Sequence, residues 1–262
     1  MDKDNKDSGV VELDQGQTVL GTCWARVSTL IVGLLLLFQP GSSIAALSAP
    51  AAPLQRFSAP ILEQQIERYG NYWRAHASAT WTYKQGYFTE AAQQWSKLAV
   101  QGYAPAQFRL GLMYDYGQGV GRSHHVAVYW YRQASYQGHV HAMYVLGVAY
   151  AHGIGVAVNI RRALVWWRLA GLKGNADAQY NLGLLYSQGQ GVDQDLSQAA
   201  VWWHKAAEQG DPVAQFNLGV MFSNGMGVSQ DYNMAEMWLR RSAAQGYKDA
   251  IKILTTTERE SK

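Results

Sequence analysis

The sequence is short of several things, and each shortage removes a class of explanation. Its single cysteine, Cys23, rules out a disulfide framework within the chain. That cysteine precedes the apolar segment instead of following it, so a lipoprotein reading of VLGTC fails. No uninterrupted apolar run approaches the roughly 20 residues that span a bilayer; the longest, VSTLIVGLLLLF, covers 27–38. There is no S-x-x-K at a helix start and no G-x-S-x-G, so the common serine-nucleophile signatures are missing. Charged residues make up only 16%, with a formal net charge of +3, too little for a continuous phosphate-binding face.

At the N-terminus, Arg26 precedes the apolar run, Gln39-Pro40-Gly41 interrupts it, and the small residues SSIAALSAPAAP follow. This is the layout of a secretory signal peptide, with cleavage expected after Ala45, Ala46 or Ser48. The alternative is an uncleaved inner-membrane anchor over 27–47, which would be the chain's one contact with a membrane. The chain is therefore read as exported, to a periplasm or beyond the cell, with residues 1–48 as leader or anchor and 49–60 as linker. An exported chain with no cysteine after Cys23 fits an oxidising compartment.

What the sequence has in abundance is periodicity. AQFRLGLMYDYGQGV begins at Ala106, AMYVLGVAYAHGIGV at Ala142, AQYNLGLLYSQGQGV at Ala178 and AQFNLGVMFSNGMGV at Ala214, a constant step of 36 residues. Glycines at 102, 138, 174, 210 and 246 keep that step. Such a period is the signature of a solenoid. Four units follow, 103–138, 139–174, 175–210 and 211–246.

Each unit resolves into two helices. Ala106, Leu110 and Tyr114 form one stripe of helix A, and Ala127, Trp130, Tyr131 and Ala134 one stripe of helix B. The G-x-G-V between them supplies residues that tolerate positive φ, and Ser123, Asn159, Asp195 and Asp231 stand where an N-cap belongs. A glycine also recurs inside helix A, at 111, 147, 183 and 219, at a cost of about 1 kcal/mol each relative to alanine. Close helix approach is the expected compensation, with the large rings of helix B, Trp166 and Trp202 among them, interleaving where no Cβ stands.

The pattern A-x-[FY]-x-L-G-x-x-[YF]-x-x-G-x-G-V, a capping Asp or Asn, then A-x-x-W-x-x-x-[AS]-x-x-x-G resembles the Sel1-like repeat, a relative of the tetratricopeptide repeat. The resemblance implies an all-α, right-handed α/α solenoid of helix-turn-helix units. Tyr83–Gly102 resembles an ordinary tetratricopeptide unit and, with a helix expected over 61–79, would form an N-terminal cap over 61–102; residues 247–262 would form a closing helix and tail. The resemblance also implies a protein-binding scaffold rather than an enzyme. The alternative it carries is a β-lactam-binding or β-lactamase-like enzyme resembling cysteine-rich relatives, whose disulfides this chain lacks.

The tetratricopeptide analogy places helices A along a concave groove. A second stripe of helix A would line it: Phe108, Arg109 and Leu112, then Tyr144, Val145 and Val148, then Tyr180, Asn181 and Leu184, then Phe216, Asn217 and Val220. His141, His152 and Asp177 flank it. The aromatic member belongs to the repeat pattern and so reads first as packing between repeats; Arg109, Val145, Asn181 and Asn217 vary in type at one position and are the better contacts for a protein or peptide partner.

Other chemistries find less support. The G-x-G turns lack a preceding strand and a following G-K-[ST], so they read as turns and not phosphate loops. His152 should return near His124 and His125, and three imidazoles can bind zinc, but no acid nearby in sequence completes a catalytic set, so neither metal nor other cofactor is expected. Removal of residues 1–46 would leave 19 basic and 14 acidic residues. These are unevenly placed: 139–174 carries Arg161, Arg162, Arg168 and Lys173 with no acid, and 175–210 carries Asp177, Asp193, Asp195 and Glu208 against Lys205 alone. A bipolar field of this kind suits a charged protein partner better than nucleic acid.

Overall fold

A computed structural model describes residues 59–260. The leader or anchor over 1–48, Cys23 and nearly all of the 49–60 linker lie outside the described residues. Among the described residues every regular element is an α-helix, and no helix is long and apolar enough to cross a membrane. In chain order they are α1 (Ala59–Lys84), α2 (Phe88–Val100), α3 (Ala104–Tyr116), α4 (His124–Tyr136), α5 (Val140–His152), α6 (Ile160–Leu172), α7 (Ala176–Gln188), α8 (Leu196–Glu208), α9 (Pro212–Asn224), α10 (Tyr232–Ala244) and α11 (Lys248–Glu260). The main packing runs between consecutive helices, as in an α/α solenoid. The A helices are α3, α5, α7 and α9; the B helices are α4, α6, α8 and α10.

Local chemistry sets the boundaries. Side chains of Ser123, Asn159, Asp195 and Asp231 accept from the N–H groups of Val126, Arg162, Gln198 and Met234, satisfying a donor that the first turn of each B helix leaves open. The backbone N–H of the same four residues donates to the carbonyl of Tyr114, Tyr150, Tyr186 or Phe222, closing the A–B turn identically in every unit. At the end of α4, Gly138 donates to Ser135 and His139 to Ala134, a Schellman motif that requires the positive φ of 87° at Gly138. The helix expected over 61–79 is longer, because α1 continues to Lys84 where the other units spend residues on G-x-G-V. The C-terminal segment is likewise helical well beyond Leu254, to Glu260.

The glycine inside helix A meets a side chain of its own unit, and not the one expected. A Cβ on Gly111 would lie 2.6 Å from the Tyr131 ring, and one on Gly219 would lie 2.6 Å from Leu239. At Gly147 and Gly183 the Cβ would enter the rings of Trp167 and Trp203. Both indoles also donate to helix A, Trp167 to the Tyr144 carbonyl at 3.2 Å and Trp203 to that of Tyr180 at 3.1 Å.

Trp166 and Trp202, one residue earlier, are turned toward the preceding unit: Trp202 faces Gly171 and Trp166 lies 5.9 Å from the Tyr136 ring. Adjacent side chains on a helix point about 100° apart, so two consecutive large residues serve two interfaces. The first ties neighbouring units together and the second closes a unit on its own glycine.

A third recurring contact is polar. Gln107, Gln179 and Gln215 are buried, and each donates to a carbonyl of the helix before its own, at Ala99 of α2, Gly171 of α6 and Ala207 of α8. Each accepts in turn from the glutamine that ends its own B helix, Gln137, Gln209 and Gln245. In the second unit the buried position is Met143 and the helix end is Lys173, so the two partners are replaced together. This avoids leaving one buried amide unpaired.

Two glycines should respond oppositely to substitution by alanine. Gly183→Ala should destabilise the protein by about 1–3 kcal/mol through overpacking, even though alanine is the better helix former by about 1 kcal/mol. The penalty should vanish in a Trp203→Ala background. Gly70→Ala in α1, where nothing lies within 4 Å of the added Cβ, should be neutral or stabilising. Urea unfolding of the four variants measures these effects; an equal penalty at Gly183 with and without the indole would refute the close-approach explanation.

Candidate functional site

The A helices present one face on which the repeat places the same positions side by side. Its spacing is set by contacts over 31 residues, in which the aromatic residue of one A helix seats against the residue that opens the next. Phe108 lies 4.6 Å from His139 and Phe216 5.1 Å from Tyr247, and at the N-terminal end Tyr72 of α1 lies 5.4 Å from Tyr103. Phe108 is buried, also touching Tyr131 and His141, so its role is packing between repeats. Leu112, Tyr144, Val145, Val148, Tyr180, Asn181, Leu184, Phe216, Asn217 and Val220 are half-buried, and His141, His152 and Asp177 are exposed.

Charge on this face changes sign along its length. At the N-terminal end the half-buried Arg109 has its basicity reduced by desolvation. Among the described residues no hydrogen bond or ion pair holds it. Burial, followed by the nearby Arg109 charge, lowers His76 to about 4. His139 is also lowered to about 4, first by burial and then by His141, Arg109 and His76. Further along, partial desolvation and then the Asp211 charge raise the carboxyl of the largely exposed Asp177 above its usual value, with His141 opposing the shift. The order along the face is therefore a cationic end at Arg109, neutral histidines, and an acidic end at Asp177 and Asp211.

The two histidines are also structural acceptors. His139 caps α5, its Nδ1 accepting from Ala142 N–H at 3.2 Å, and His76 Nδ1 accepts from the Trp95 indole at 3.2 Å. A proton on either Nδ1 would end that bond. At the positions 36 and 72 residues after His139, Asn175 and Asp211 cap α7 and α9 in the same way, each accepting at 2.7 Å.

His139, Asn175 and Asp211 each follow a phase glycine directly, so their spacing would have revealed them as caps, and the sequence reading passed over them. It also passed over His76, which no in-phase counterpart marks.

The three histidines weighed as metal ligands do not form a site. His124 is engaged by Asp115, an acid nine positions earlier that the sequence reading missed and that also accepts from the Tyr131 hydroxyl at 3.1 Å. Among the described residues no group of three or more His, Cys, Asp or Glu is gathered to hold a metal.

Comparison with known proteins agrees with this architecture. The model of the Sel1 repeat matches residues 104–139, 140–175, 176–211 and 212–247. The chain is similar to a Sel1 repeat protein from Oxalobacter formigenes, at 38% identity over 65% of this chain and 49% of that one, with a TM-score of 0.61. It is also similar to c5321, described as a protective antigen present in uropathogenic Escherichia coli strains and displaying an SLR fold, at 34% identity over 74% of this chain and 42% of that one, with a TM-score of 0.65. The matched part thus spans about half the length of these relatives or less. No curated protein matches the chain.

The histidines predict a pH dependence of stability. Both have folded-state values below the unfolded reference, so the unfolded chain binds more protons between pH 6.5 and about 4. Their contribution is complete above pH 6.5 and is lost as pH falls toward 4. His139→Asn keeps a capping side chain and removes one of these groups, so the fall in melting temperature between pH 7 and pH 4.5 should be smaller in the variant. An identical fall in both proteins would show that His139 is not held neutral.

Proposed function

Because the chain belongs to the Sel1 repeat family, we propose that it is an exported scaffold that recognises a protein partner along the face of its A helices. Sel1 repeat proteins generally mediate protein–protein interaction and are typically non-enzymatic. The observation that carries the reading is the reversal of charge along one repeat-built face, from unpaired Arg109 to Asp177 and Asp211. A guanidinium without a carboxylate is desolvated at a cost that an acidic group of a partner would offset. Half-buried apolar and amide side chains lie between the two ends, at Tyr144, Val145, Tyr180 and Asn181. An extended peptide or a helix, acidic toward α3 and basic toward α7 and α9, suits this surface.

Phe216 and Asn217 continue the face beyond its acidic end, with His141 between the two poles. Export rests on the apolar run and small-residue segment at the N-terminus. The β-lactamase-like alternative is not favoured, since Sel1 repeat proteins are typically non-enzymatic scaffolds.

Affinity capture from bacterial envelope extracts tests this reading. Wild-type protein should retain a specific partner that an Arg109→Glu, Asn181→Arg double variant loses, with the variant's helical content and melting temperature near those of wild type. Equal capture by both proteins would move the interaction off this face.

A further inference from the structure

The B helices of the first two repeats and α5 enclose a cleft of about 450 Å³, away from the A-helix face, lined by Arg132, Tyr136, Tyr150, Arg162, Val165 and Trp166. Two guanidinium groups converge there on one phenolic hydroxyl. Arg132 Nη2 donates to the Tyr150 hydroxyl at 3.2 Å and Arg162 Nη1 at 3.4 Å, and the Arg162 guanidinium also lies over the Tyr150 ring at 5.5 Å. Among the described residues neither arginine forms an ion pair, and the repeat that supplies Arg162 contains no acid. The second cleft, lined by the turn at 155–159 and His125, opens onto the same two arginines and Tyr150.

The chain contains its own comparison for this arrangement. Seventy-two residues on, the corresponding cleft is lined by His204, Glu208 and Phe222 among others, and the counterpart of Arg162 is Met234. There Phe222 has no hydroxyl, and His204 faces Glu208 at 3.5 Å. The fold therefore does not need two cations at this position. It builds the groove there with apolar residues, a His204–Glu208 contact and the single cation of Lys205.

We propose that the Arg132–Tyr150–Arg162 cleft is a binding site for a phosphate monoester carried on a planar organic body. Two planar guanidinium forks and a phenolic hydroxyl that can turn to donate match the oxygens of a dianion better than a single carboxylate. The adjoining wall is aromatic: the Tyr136 and Trp166 rings lie 5.9 Å apart, and Tyr136 is strongly exposed. A phosphate on the arginine pair would place an attached ring against this wall. The site is independent of the proposed A-helix interface, which lies on other side chains.

Titration of the ¹⁵N-labelled protein with phenyl phosphate at pH 7.5 tests the proposal, read at the Trp166 indole N–H resonance, which a Trp166→Phe variant identifies. The resonance should shift saturably, inorganic phosphate should bind at least tenfold more weakly, and an Arg132→Gln, Arg162→Gln double variant should lose at least tenfold in affinity while keeping its melting temperature within a few degrees. Phosphatidic acid vesicles distinguish a lipid from a soluble ligand: they should compete no better than inorganic phosphate. An absent shift, or a shift that persists in the double variant, would overturn the site. Equal binding of benzoate would overturn the preference for phosphate, and co-sedimentation with the vesicles without a response to phenyl phosphate would overturn the soluble ligand.

Discussion

The contact on which the architecture depends is the one between a glycine inside each A helix and the large side chain of the following B helix. Gly111, Gly147, Gly183 and Gly219 give up helix propensity so that Tyr131, Trp167, Trp203 and Leu239 can lie against bare backbone. Burying a tryptophan in place of alanine is worth about 3–5 kcal/mol, several times the loss from the glycine. The preceding residue, Trp166 or Trp202, works in the other direction, against the unit before it. Closure within a unit and coupling between units are thus encoded by neighbouring positions, which is why one 36-residue step generates both.

Much of this was legible in the sequence because repetition turns position into geometry. The caps at Ser123, Asn159, Asp195 and Asp231 recur in phase and were found by spacing alone. The internal glycines were recognised as close-approach sites for the same reason. Which ring meets each glycine was not legible, since Trp166 and Trp167 are equally large and helical period does not say which of two adjacent rings turns inward. The glutamine pairs, which join a buried residue to one 30 positions on, needed coordinates.

The face of the A helices was readable as a stripe but not as an electrostatic surface. Arg109 and Asp177 were both visible in sequence, but the histidines that separate them act through burial, and burial is a property of the assembled stack. Phe108 shows the opposite case: the repeat pattern marks it first as packing between repeats, and it lies against His139 and Tyr131. The units share one fold and differ in the side chains placed on it. Arg109 against Val145, Asn181 and Asn217 is one such difference, as is the arginine pair around Tyr150 against Phe222.

The dependence on nearest neighbours is tested most directly by removing one complete unit, residues 175–210, and following helical circular dichroism and urea unfolding. Repeats joined by equivalent interfaces should yield a shorter protein that unfolds cooperatively, at lower stability, with its helicity per residue unchanged. Collapse of helicity and loss of a cooperative transition would show that the stack is held by something other than contacts repeating at a fixed interval.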